Sequence, residues 1–198
     1  MFRALQNRLR DSTWTVVFKS LITVHLMIRE GSPDVTLAYL ARHRQMLAIS
    51  SFSDGMYNTG QNISCRCTSK GGQHDKHGAD SHGKVQTQGR NIRHYTNYLT
   101  ERARAYRETK CDFVRGAEKR LEKMTIDKGL LRETETVQHQ ITALLKCDMM
   151  ENEIENEITI TVFRMLVLDL LAMFHVMNQA MINILGENLR KMKDLKLD

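Results

Sequence analysis

Apolar residues recur every three or four positions along most of this chain, the spacing that gathers them on one face of an α-helix. Phe2, Leu5 and Leu9 mark a short first helix, and Asp11 or Ser12 offers a cap for a second over about 13–30. The stripe of that second helix runs through Trp14, Val17, Leu21, Val24 and Ile28, and Gly31 stops it. Ser32-Pro33 then opens a third helix, because proline lacks the N–H that the first helical position would leave unpaired; Leu37, Leu40 and Leu47 are its inward residues. Over 91–115 the inward face is Ile92, Tyr95, Leu99, Ala103 and Tyr106, with Arg93, Arg102, Arg104 and Arg107 at polar positions. Gly116 breaks the pattern before the charged helical stretch AEKRLEKM. Two further helices follow, over about 129–147 and 154–185. The last is apolar almost all round, which predicts a central helix with neighbours on every side.

No strand-like alternation survives between these segments, so the fold class is all-α, with antiparallel helices joined by short loops. Residues 54–89 are the exception: they have no period and carry six glycines after Gly55. A polar stretch of that length inside a helical array reads as a disordered insertion.

Charge sharpens the picture. The chain carries 29 basic against 23 acidic side chains, and residues 1–100 hold 13 of the bases but only 6 of the acids. That excess favours an anionic partner. Aromatic residues make up 6% of the chain, too few for a stacking platform, and no nucleic-acid-binding module is present, so nucleic acid is not an expected partner. Arg8, Arg10, Lys19 and Arg29, followed by Arg42 and Arg44, are placed to line a basic surface.

Catalytic signatures are missing: there is no phosphate-binding glycine loop, no HExxH and no nucleophile elbow, so the chain does not read as an enzyme and no cofactor is expected. His25 and His175 fall in apolar helical runs and read as packed core or groove histidines. Cys65, Cys67, His74, His77 and His82 could ligate zinc, but their spacing fits no finger, and no metal site is assigned to them. Glu151, Glu153, Glu155 and Glu157 complement the dipole at the start of the last helix. Cys111 and Cys147 have apolar helical neighbours, as in a reduced cytosolic protein. The window Val162 to Leu185 is interrupted by Arg164, Asp169, His175 and Asn178, so it reads as a buried helix rather than a membrane span.

Three segments carry a family likeness. LRDSTWTVVFKSLITVHL (9–26), NIRHYTNYLTERARAYRETK (91–110) and VFRMLVLDLLAMFHVMNQAMINILG (162–186) occur in the right order to resemble the ANTH domain of fungal clathrin-assembly endocytic adaptors. The resemblance implies a superhelical array of antiparallel helices over 1–198. It further implies reversible docking on phosphatidylinositol 4,5-bisphosphate of the inner leaflet, with clathrin and endocytic coat proteins as partners at coated pits and vesicles. The alternative is a helical protein-interaction scaffold that does not bind lipid. In that family the principal headgroup site precedes the segment matching Phe2 and has no counterpart here. Arg8, Arg10, Lys19 and Arg29 are therefore auxiliary candidates, in a domain that reads as truncated at both ends. Removing 56–83 would restore the family pattern across the gap, and Gly55-Met56-Tyr57 can be encoded by a splice-donor-like run, so that stretch reads as translated intron.

Overall fold

The computed structural model describes residues 2–49, 79–149 and 157–194. Among them the order is α1 (Phe2–Leu9), α2 (Trp14–Glu30), α3 (Pro33–Arg42), a 3-10 turn (Arg44–Leu47), α4 (Ala79–Thr109), α5 (Glu118–Lys123), a second 3-10 turn (Ile126–Lys128), α6 (Leu130–Leu145) and α7 (Glu157–Asp194). No described residue lies in a strand, so the fold is all-α.

Local chemistry explains the boundaries. Asp11 does not cap α2 itself; its carboxylate accepts the Thr13 N–H at 2.9 Å and tightens the turn that delivers Thr13 to the N-cap. Gly31 closes α2 with φ −76, a conformation open to any residue. Glycine is needed for space instead: a Cβ there would lie 2.4 Å from the Met27 carbonyl oxygen and 2.7 Å from Thr36 Oγ1. Ser32 is the N-cap of α3 with Pro33 in its first turn, and its carbonyl rather than its hydroxyl receives the first helical N–H groups, from Val35 and Thr36. Gly129, at φ 97, turns the second 3-10 segment into α6, a backbone angle that favours glycine.

Packing runs from one helix to its neighbour. α1 lies on α2, α2 and α3 both pack on α4, α4 packs on α6, and α7 holds α6 and α5. The centre of the array is therefore α4. Val17, Phe18, Leu21, Val24 and Ile28 of α2 are fully buried, as are Ile92, Tyr95 and Leu99 of α4. Each such side chain contributes about 1.5–3 kcal/mol by leaving water. Phe18 meets the Tyr95 ring edge-on at 5.9 Å.

Three expectations are revised. α4 begins at Ala79, so residues 79–89 of the stretch expected to be disordered are helical. Extension is cheap once 91–109 has nucleated, since each further residue adds a hydrogen bond without a new nucleus, and isolated glycines cost only about 1 kcal/mol. Residues 54–78, with Cys65, Cys67, His74 and His77, lie outside the described residues. The last helix is also less enclosed than its composition suggests. Val162, Met173, Val176 and Ala180 are buried on one side of α7, while Leu171, Phe174, Ile182, Leu185 and Leu189 are more than half exposed on the other. His175, expected to be packed, lies on the exposed side. By length and hydropathy alone α7 could cross a membrane. Asp169, about a third of the way along it, ionised and bonded to α2 and α4, ties it into the array instead.

Candidate anion-binding surface

Cationic side chains meet two environments in this fold. In the first, α2, α4 and α7 close over one carboxylate. Asp169 is fully buried, and its Oδ2 accepts from His25 Nε2 at 2.7 Å, Tyr98 Oη at 2.7 Å and Arg102 at 2.9 Å. Its Oδ1 accepts from Arg29. A carboxylate can only accept, so Nε2 of His25 carries a proton; Tyr95 Oη lies 2.8 Å from Nδ1 and donates to it when the imidazole is neutral. Arg102 bridges onward to Asp112 at 2.8 Å.

The protonation states follow from these contacts. Burial alone would raise Asp169, but the hydrogen bond from His25 and the charge of Arg102 outweigh it and hold the carboxyl below the usual range. Burial dominates at His25 and lowers it, with the hydrogen bond and charge of Asp169 opposing and the Arg102 and Arg29 guanidinium groups adding to the fall. Burial also pushes Tyr95 and Tyr98 well above the ordinary phenol range, so both remain O–H donors. Near neutral pH the cluster is thus a neutral histidine and two arginines around an ionised carboxylate. Asp169, His25, Tyr98 and Arg102 are buried, and the work of the cluster is to lock three helices together.

The second environment is the surface. Arg8, Arg10 and Lys19 are exposed and form no ion pair among the described residues. Arg29, expected with them, is committed elsewhere: its guanidinium pairs with Asp169 and its side chain is 22% exposed. Its place one turn after His25 on α2 turns it toward α7, which removes it from the auxiliary basic set.

A more concentrated cationic feature lies between α3 and α4. Arg42 ends α3, Arg44 opens the 3-10 turn, Arg107 stands in the last turn of α4 and Lys110 follows it; with Asp34, Ala38, Ala41 and Tyr106 they line a hollow of about 530 Å³. A neighbouring hollow of about 440 Å³ shares Arg42 and Arg44 and adds Gln6, Tyr39, His43 and Gln45. Tyr39 stacks between Phe2 and His43, each at 4.1 Å, which fixes that wall. Tyr106 donates to Asp34 at 2.5 Å, and that bond first, with burial, pushes its phenol up to about 12. None of the four cations has an ion pair among the described residues.

Arg42 and Arg44 were visible as a basic pair in the sequence; Arg107 and Lys110 were not, because 60 or more residues of chain separate them from it. Among the described residues no group of three His, Cys, Asp or Glu could hold a metal ion. Of the acidic run, Glu157 is exposed in the first turn of α7 and the others lie outside the described residues.

Comparison with known proteins supplies the family. An ENTH domain-containing protein of Schizosaccharomyces pombe is 32% identical over 188 residues, covering 93% of this chain and 24% of the relative. Clathrin coat assembly protein AP180A of Saccharomyces cerevisiae is 30% identical over 194 residues, covering 92% of this chain and 26% of its own length. The human phosphatidylinositol-binding clathrin assembly protein is 30% identical over 185 residues, covering 92% and 24%. The chain thus spans about a quarter of the length of these curated relatives. The ANTH domain family model matches residues 1–195, and with an all-α fold and relatives at 30% identity or more, this chain belongs to the ANTH domain family.

Proposed function

We propose that this chain is the membrane-docking module of a non-enzymatic endocytic adaptor that binds inner-leaflet phosphoinositides and brings clathrin coat proteins to forming vesicles. The ANTH family match over residues 1–195 carries this reading, supported by relatives named for clathrin coat assembly and for phosphatidylinositol binding. Physically, a rigid helical frame keeps unpaired cations exposed, so headgroup phosphates replace water around them at little conformational cost. Such a protein works reversibly at the inner face of the plasma membrane, at coated pits and vesicles. Flotation of the full chain with vesicles containing phosphatidylinositol 4,5-bisphosphate, against phosphatidylserine vesicles of equal charge at near-physiological salt, tests it. Selective flotation is the expected result; equal flotation with both, or none by folded protein, removes the lipid reading.

The exposed apolar side of α7, with Leu171, Leu185 and Leu189 each more than half exposed, favours a second reading as a scaffold for partner helices. Saturable binding to an endocytic coat protein in the absence of lipid would select it.

A further inference from the structure

The hollow between α3 and α4 is more than a set of helix ends. Arg42, Arg107 and Lys110 each stand at or just after a helix C-terminus, where a cation is favoured by the dipole, and that explains any one of them alone. It does not explain why four cations surround one hollow with a single carboxylate, Asp34, whose Oδ1 already accepts a bond from Tyr106. Two helix termini carry about −0.5 each, so after they and Asp34 are counted an excess of about two positive charges faces the space. Lys110 adds an independent observation. At φ 54 it is the one non-glycine among the described residues with a positive φ. Its backbone N–H caps α4 on the Tyr106 carbonyl at 2.9 Å, in a conformation that glycine would adopt without cost. A lysine at this left-handed helix end costs the fold something that glycine would not, and it presents a cation to the hollow.

We propose that this hollow is a phosphate-binding site that seats the phosphorylated headgroup of an inositol lipid, with Arg42, Arg44, Arg107 and Lys110 as its cations. The proposal rests on the adaptor reading above for its lipid source, and it locates the headgroup away from Arg8, Arg10 and Lys19. The volume, about 530 Å³, lies within the range of about 300–1,000 Å³ usual for a small ligand. Arginines converging from separate elements suit more than one phosphate, because each guanidinium can donate two parallel bonds. The Tyr106–Asp34 bond holds the acid wall in place.

The test titrates the full chain with soluble inositol 1,4,5-trisphosphate by calorimetry and repeats the flotation with variants. R42Q/R44Q and R107Q/K110Q should each weaken headgroup binding about tenfold or more, with thermal midpoints close to the parent. K119Q/K123Q, which removes the same charge from exposed positions of α5, should change it less than about twofold. K110G should raise the thermal midpoint by about 2–4 °C while lowering affinity, separating the residue's binding role from its helix-end role. Parent-like headgroup binding by both cleft pairs, or an equal loss in K119Q/K123Q, overturns the site while leaving selective flotation and the adaptor reading intact. Tighter binding of a doubly phosphorylated peptide than of the headgroup also overturns it. Absence of selective flotation by the folded parent removes the lipid reading and this inference together.

Discussion

Arg102 and Arg107 stand five residues apart on α4, about 140° round the helix from each other, and represent two regions that use the same side chain in opposite ways. Arg102 is 2% exposed and divided between Asp169 and Asp112. Arg107 is half-buried at the rim of the α3–α4 hollow and faces other cations. Among the described residues, the buried charges of Asp169, Arg102 and Asp112 each face a counter-charge, so these charges bind helices to one another. At the rim, water still solvates the cations, so a mismatch is tolerated and leaves them free for an anion from outside. Burial thus decides whether a charge is structural or available.

The sharpest way to break that contrast is at Asp169. Asp169→Asn leaves Arg102 and Arg29 without their carboxylate, and it should cost about 3–5 kcal/mol in urea unfolding. Tyr98→Phe deletes one bond to the same anion and should cost about 1.5–3 kcal/mol. If either variant unfolded like the parent, the core cluster would not be what joins α2, α4 and α7.

Acid should weaken the same region next. His25 is lowered from 6.5 by burial, so as pH falls through about 6.5 the unfolded chain takes up a proton that the folded chain refuses, and stability declines. It is fully present above that range. Asp169, held below 3.8, adds a second loss as the unfolded carboxyl protonates near pH 4. Urea midpoints between pH 7.5 and 5 measure the first phase, and His25→Gln should flatten it; an undiminished slope in that variant would assign the dependence to other histidines.

The smallest stability effect belongs to the surface. R42Q/R44Q should change unfolding free energy by no more than about 0.5 kcal/mol, since both side chains are exposed and unpaired. A loss comparable to that of Asp169→Asn would place those arginines in the fold rather than at a ligand site.

Much of the fold is legible in the sequence. The stripe Val17, Leu21, Val24, Ile28 placed α2 within a residue of its ends, and Pro33 marked the start of α3. The misreadings share a cause. Arg102 and Arg107 looked equivalent at polar positions of one helical pattern, and the apolar surround of α7 looked like a helix enclosed on all sides. Periodicity sorts residues by their own chemistry; it says nothing of what lies across from them.

Helix type, most helix boundaries and the inward apolar faces were therefore determined by the sequence alone, because they depend on residues three or four apart. The pairing of charges was decided only by the tertiary structure. Asp169 collects His25, Arg29, Tyr98 and Arg102 from 144, 140, 71 and 67 residues away. Arg42 and Lys110 meet at one hollow across a comparable span. Such contacts form because packing α2, α3 and α7 against α4 buries apolar surface, and the charged groups that packing brings together must then find counter-charges or remain in water.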